Sequence, residues 1–331
     1  MIKNRGFISG DYEKIMDFLR EIYVQTGKQH CWLPQRWEYA EYNCNPLYME
    51  RGWDDWKKYI RIWEEEDTIV AIAHKETKYE VFLQIRPDYE FLANEMLDFI
   101  ENTVPLEKHG IQCELNIFVN DTKRWIEDIL TQRGYIKNDE CNYYNIQYLN
   151  KEYVPILPDG FQFVDGNDVK DPKARLLCCH LGFHPDDEPD RLPVKDFLME
   201  YAPTFRTELQ LMTQDDKGNL CSYCVIWYDE KLNIGLFEPV CTRKDYRMFG
   251  IGKAMLFEGL RRLKELGAEK AYVGCGDSLR GFYNSAGFSA YDSDYPWKKK
   301  FYSLTILVLL NLLWYLFDFH FQKLHFVRES K

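Results

Sequence analysis

The sequence predicts an α/β (α+β) fold made of two mixed-sheet units in tandem, residues 1–150 and 151–300, followed by an apolar helical tail, 301–331. Three observations carry this reading. The chain repeats itself at a distance of about half its length, strand-like and helix-like segments alternate within each copy, and the composition changes abruptly after "PWKKK". At 331 residues the chain is long for one core and ordinary for two.

The repeat pairs "RPDYEFLANEMLDFIE" (86–101) with "RKDYRMFGIGKAMLFE" (243–258). Each begins Arg-x-Asp-Tyr, follows a strand-like run ("YEVFLQI" or "IGLFEPV") and leads into an amphipathic helix. Downstream, "NDTKRWIEDILTQRGY" matches "GDSLRGFYNSAGF", pairing Asp121 with Asp277, Arg124 with Arg280 and Gly134 with Gly287. The alternative is chance similarity of helical segments, but the neighbouring strands and turns also correspond in order. "NKEYVPILPDGF", with two prolines and a glycine, marks the boundary.

In the second unit the pattern predicts helices over 171–183 and 194–202, and strands over 207–213 and 220–227 separated by the turn residues "DDKGN". After the glycine-bearing segment come a strand, "KAYVGC", a short helix over 279–285 and closing strands. The tail run "FYSLTILVLLNLLWYLF" (301–317) spans about 25 Å as a helix, a little short of a hydrocarbon core of roughly 30 Å. Flanking lysines and interfacial aromatics make it a candidate membrane anchor, while its first residues can also complete the last strand.

A net charge of −11 argues against nucleic acid as a partner, because phosphate-backbone binders carry a basic stripe. An acidic surface can steer cationic amines, although most such charge is solvated face. The start, "MIKNRGFISGDYEK", has no apolar core of signal-peptide length, so a cytoplasmic chain with ten reduced cysteines is expected. Cys221 and Cys224 lie three apart on a predicted strand and face opposite sides, and His180 and His184 share a helical face that Pro185 ends. No metal site is expected from either pair.

The segment Arg247-Met248-Phe249-Gly250-Ile251-Gly252-Lys253 opens a predicted helix. It is neither the dinucleotide fingerprint, because residue 255 is Met, nor a Walker A loop. Its glycines serve either a tight turn or the approach of an anion to bare amides at the helix start. The run "FEPVCTRKDYRMFGIGKAMLFEGLRRLKELGAEKAYV", followed by "FYNSAGF", resembles the GNAT superfamily of acetyl-CoA-dependent N-acetyltransferases. There R/Q-x-x-G-x-G/A follows the fourth strand and opens the third helix. Glu-Pro-Val before the loop, together with the doubled chain, is similar to tandem members.

The resemblance implies that amides from Met248 to Lys253, with Arg247, hold the coenzyme A pyrophosphate, and that the backbone of Val240, Cys241 and Thr242 pairs with the pantetheine arm. The first unit has Glu90, Ala93 and Glu95 where the second has Arg247, Gly250 and Gly252, so it is expected to lack a cofactor site and to wall the acceptor cleft. Glu238 is the candidate general base for an amine acceptor, or else a carboxylate fixing local structure. Tyr283, at the tyrosine of "FYNSAGF", is the implied proton donor to the departing thiolate; the alternative is a core aromatic. Cys241 as a covalent acetyl carrier is disfavoured, since no histidine lies near it in sequence. Many members carry Asn near Asp277, which leaves that cofactor contact open. The expected activity is acetyl transfer from acetyl-CoA to a primary amine of a small molecule or peptide. The alternatives are a non-catalytic acyl-CoA sensor and a tethered scaffold. Nothing in the sequence sets the oligomeric state.

Overall fold

The computed structural model describes residues 1–104, 112–188 and 198–302. The strands are β1 (Ile2–Gly6), β2 (Arg61–Glu65), β3 (Thr68–Lys75), β4 (Glu80–Ile85), β5 (Gln112–Asn120), β6 (Ile136–Lys137) and β7 (Asn142–Tyr148) in the first half. The second half has β8 (Phe161–Asp165), β9 (Gln210–Asp215), β10 (Leu220–Asp229), β11 (Ile234–Thr242), β12 (Lys270–Gly276) and β13 (Ser289–Tyr302). Helices α1 (Tyr12–Thr26), α2 (Pro34–Tyr39), α3 (Asn45–Glu50), α4 (Ala93–Thr103) and α5 (Arg124–Gln132) precede α6 (Pro172–Phe183), α7 (Ile251–Glu265) and α8 (Arg280–Ser285).

Among the described residues thirteen strands share one mixed sheet, ordered β1-β2-β3-β4-β5-β13-β7-β12-β11-β10-β9-β8, with β6 on β13. Residues 149–160 contain no strand or helix, but the sheet does not divide there. The final strand, β13, lies between β5 and β7 of the first half, and β7 pairs with β12 of the second. Each half therefore depends on a strand of the other to satisfy its ladder. Every neighbouring pair is antiparallel except β4/β5 and β11/β12. Those two parallel pairs are short, Glu80–Phe82 on Asn116–Phe118 and Ile234–Leu236 on Lys270–Tyr272, and beyond them the strands part.

Period-2 alternation explains the core of the second half. On β10, Cys224, Ile226 and Tyr228 face α7, whereas Tyr223, Val225 and Trp227 face α6 and Leu33. Both faces of β10 are buried, so its sequence is almost unbroken apolar. Met255, Leu256, Leu260 and Leu263 of α7 are wholly buried, each contributing about 1.5–3 kcal/mol of transfer free energy. Gly259 allows that contact: a Cβ there would lie 2.5 Å from Ile226 Cδ1 and 2.6 Å from Phe237 Cε1.

Two predicted elements differ from what is observed. Residues Thr207–Leu209 form a 3-10 turn rather than the start of a strand, and the carbonyls of Thr207 and Gln210 both accept from the Gly166 amide, pinning the turn to the end of β8. In place of the helix over 194–202, the described part is a 3-10 turn, Leu198–Tyr201. The first two residues of the apolar tail complete β13; the remainder of the candidate anchor, 303–331, lies outside the described residues. Among the described residues no helix is long and apolar enough to cross a membrane.

Candidate active site

Where β11 and β12 part, a cleft of about 610 Å³ opens. Val240, Cys241 and Thr242 form one wall, the start of α7 with Phe282 and Tyr283 the other, and Gly182 and Phe183 of α6 close one side. Beyond Leu236 the β11 backbone has no β12 partner, although its other edge stays paired with β10 through Cys224↔Val240 and Ser222↔Thr242. That edge offers a ladder to an extended ligand.

Arg247, Met248, Gly250, Ile251, Gly252 and Lys253 all line this cleft; Phe249 does not and is 56% exposed. Gly250 is the N-cap of α7 at φ +82°, with no side-chain cap, and Met248 also has positive φ, +68°. The first helical bond is Ala254 N to Gly250 O (3.0 Å), so the amides of residues 250–253 have no acceptor within the helix. A Cβ on Gly252 would lie 3.2 Å from both Phe282 Cζ and Thr242 Oγ1. Gly250 thus meets the need for a left-handed turn, and Gly252 the close packing of Phe282 and Thr242 against the start of α7. Arg247 spends two donors on protein carbonyls, Nε on Thr242 (3.0 Å) and Nη2 on Gly182 (2.8 Å), and so ties the loop to β11 and α6.

Tyr283 is 4% exposed, its ring edge-on to Phe282 and Phe288. Burial pushes its phenol well above the ordinary range, and neighbouring Cys224, Cys275 and Glu238 add to the effect. The hydroxyl therefore stays protonated. Cys241 is likewise held as a thiol, by contact with the Cys179 thiol and by burial, which disfavours a thiolate nucleophile.

Glu238 stands outside this lining, two residues before Val240 on β11, next to the cis Glu238–Pro239 peptide. Its carbonyl accepts from Trp227 Nε1 (2.6 Å) and its side chain is 26% exposed. Burial raises the carboxyl to about 7; Arg36 opposes that shift and Glu76 adds to it. Arg36 comes from α2 in the first half, with Nε 3.5 Å from Glu238 Oε2. Nothing local in the sequence pairs Arg36 with Glu238, about 200 residues away.

The corresponding parting of β4 and β5 is built differently. Residues 29–33 cross it, Trp32 N donating to Gln84 Oε1 (2.9 Å), and Lys123 Nζ donates to Leu83 O (3.2 Å). About 20 Å³ is left there, room for little more than a water. Glu95, at the position of Gly252, accepts from Trp63 Nε1 (2.8 Å) and Asn4 Nδ2 (2.7 Å). Among the described residues no group of three or more His, Cys, Asp or Glu side chains could hold a metal ion.

No family model and no curated protein sequence matches the chain. Solved structures do. A GCN5-related N-acetyltransferase from Sphaerobacter thermophilus superposes with a TM-score of 0.62 at 16% identity, over 91% of this chain and 96% of that one. A tandem GNAT protein from the clavulanic acid biosynthesis pathway gives 0.58 at 11% identity, over 91% and 98%. A GNAT-family acetyltransferase from Colwellia psychrerythraea gives 0.55 at 10%, over 90% and 99%. At such identities the likeness is one of fold, and it extends over nearly the whole of each chain: this protein has the fold of the GCN5-related N-acetyltransferases in its tandem form.

Proposed function

We propose that the chain is an N-acetyltransferase that moves an acetyl group from acetyl-CoA to a primary amine of a small molecule or peptide, by direct attack in a ternary complex. The site lies in the second half, 151–300, and the first half, 1–150, without a cofactor site of its own, helps wall the acceptor side. The observation that carries this is the uncapped, glycine-opened start of α7 facing a cleft with an unpaired strand edge.

These residues fit acetyl-CoA. Amides of residues 250–253 point a helix N-terminus at a diphosphate, each charge-assisted contact contributing about 1.5–3 kcal/mol. The free edge of Val240, Cys241 and Thr242 takes the pantetheine amides as an added strand. Bound acetyl-CoA supplies an acyl group already activated as a thioester. Glu238 accepts the proton of the incoming ammonium, directly or through water, and a carboxyl near 7 is suited to do so at neutral pH. Tyr283, kept protonated by burial, donates to the departing sulfur. An amide of Val240 or Cys241 steadies the developing oxyanion.

Thiol release from acetyl-CoA over a panel of amino acids, polyamines, aminoglycosides and peptide N-termini tests this reading. Release that tracks amine acetylation supports it, whereas acetyl-CoA binding with no release on any amine would make the chain an acyl-CoA sensor. The association of 301–317 with membranes is a separate proposal resting on sequence. Sedimentation of the full chain with washed membranes, lost on truncation after Lys300, supports it, and a full chain that stays in the supernatant ends it.

A further inference from the structure

The carboxylate proposed as base is held by the half that lacks the cofactor cleft. Arg36, on α2, reaches Glu238 Oε2 with Nε at 3.5 Å and pairs through Nη2 with Glu76 at the end of β3. Its guanidinium lies 4.7 Å from the Trp32 ring centroid and 5.4 Å from that of Tyr39. Two aromatic faces and two carboxylates therefore fix its plane. The third nitrogen, Nη1, is buried without a hydrogen-bond partner among the described residues, leaving a donor for an oxygen of the acceptor or a water.

Holding the halves together does not require this contact. The same helix is tied to the second half by Gln35 Nε2 on Ile234 O (3.2 Å) and by Glu38, which accepts from the Thr204 amide (3.1 Å) and hydroxyl. The Glu238 backbone is already fixed by Trp227. What Arg36 adds is a charge beside the sole carboxylate of β11.

We propose that Arg36 is a positioning residue of the acceptor side, holding the Glu238 carboxylate charged and aimed across the junction, so that proton removal from the acceptor needs both halves of the chain. This rests on the acetyl-transfer reading above. The groups that face Glu238 are Arg36 and Tyr39 from α2, Cys44 from the following helical turn, Glu76 beyond β3, and Tyr283 from α8. Burial pushes the carboxyl up, Glu76 pushes it further, and Arg36 alone pulls it down. An opposite charge within about 4–6 Å commonly moves a carboxyl by roughly 1–3 pH units.

The test is a carbon-13 titration of the full chain labelled at glutamate carboxyls, with Glu238→Gln identifying the Glu238 signal. Arg36→Met and Arg36→Gln should each raise its midpoint by about 1 pH unit or more, Arg36→Lys should hold it near wild type, and Glu76→Gln should lower it. In parallel, Arg36→Met should lower kcat/KM about tenfold at pH 7 and recover by about pH 9, with KM for acetyl-CoA unchanged. A merely structural contact would lower activity equally at every pH and would not give opposite shifts for the two partners. Should Arg36→Met not fold, Arg36→Gln and Glu76→Gln carry the same comparison. An active enzyme whose Glu238 midpoint ignores Arg36 overturns the proposal alone. A wild-type chain that releases no thiol with any amine overturns the acetyl-transfer reading, and the proposal with it.

Discussion

Replacing Glu238 by Gln keeps the size of the side chain and removes its capacity to take a proton. Burial pushes the wild-type carboxyl up to about 7, and as the proposed base it must be ionised, so activity should fall as pH drops below that value. A primary alkylamine with a pKa of about 10.4 is neutral to only about 1 part in 2,500 at pH 7. If Glu238 deprotonates the bound ammonium as proposed, the wild-type kcat/KM should rise to a plateau above about 7 and hold it to about 10. The Gln variant has to wait for neutral amine, and its kcat/KM should climb about tenfold per pH unit over the same span. General-base contributions are about 10²–10⁴-fold, so the ratio of wild type to variant should be of order 10²–10³ at pH 7 and shrink to less than about tenfold near pH 10. Thiol release measured from pH 6 to 10 with any accepted amine gives both curves. A ratio that stays constant across that range would falsify the assignment, leaving Glu238 as a structural carboxylate.

Other substitutions separate binding from chemistry. Gly250→Asp meets no atom within 4 Å of its Cβ, so its cost to folding is the φ of +82°, about 1–2 kcal/mol. Its carboxylate should repel the diphosphate by about 3 kcal/mol per charge pair at an effective dielectric near 20, and calorimetry should show acetyl-CoA affinity down at least about a hundredfold relative to Gly250→Ala. Equal affinities for the two variants would remove the phosphate from this loop. Tyr283→Phe should leave acetyl-CoA affinity unchanged and lower kcat by about 10–100-fold, less than a full general-acid effect because a thiolate leaves readily; unchanged kcat would make Tyr283 a core aromatic. Gly182→Ala would place a methyl 2.4 Å from Cys241 Sγ and 2.7 Å from its Cβ, and urea unfolding should show a loss of about 1–3 kcal/mol. An unmoved urea midpoint would mean that α6 does not press on β11 as described.

The parts of the fold that repeat locally were legible in the sequence. The strand before each loop, the α7 apolar stripe and the glycines at 250 and 252 are all short-range patterns, and the structure gathers Val240–Thr242, the loop and Tyr283 around one cleft. Pairing between distant strands was not legible. Nothing in "SAYDSDYPWKKKFY" announces that β13 will insert between β5 and β7, because its lysines occupy both faces and its partners lie more than 140 residues upstream. Lys123 looks like a surface residue at a helix start, yet its ammonium is buried across the β4/β5 gap. Arg36 meets Glu238 across about 200 residues of sequence, so only the folded chain shows that the two halves share a charge cluster. Its signal was compositional, an arginine embedded among Trp32, Trp37 and Tyr39, which is where a stacked guanidinium would sit.

Every step of the proposed reaction requires a diphosphate seated at the start of α7, and phosphorus-31 resonance of coenzyme A observes that group directly. Added to the full chain, the diphosphate lines of coenzyme A should shift and broaden at stoichiometric protein, and should stay at their free positions with Gly250→Asp. Lines that do not move with the wild-type chain, or that move equally with both proteins, contradict that seating.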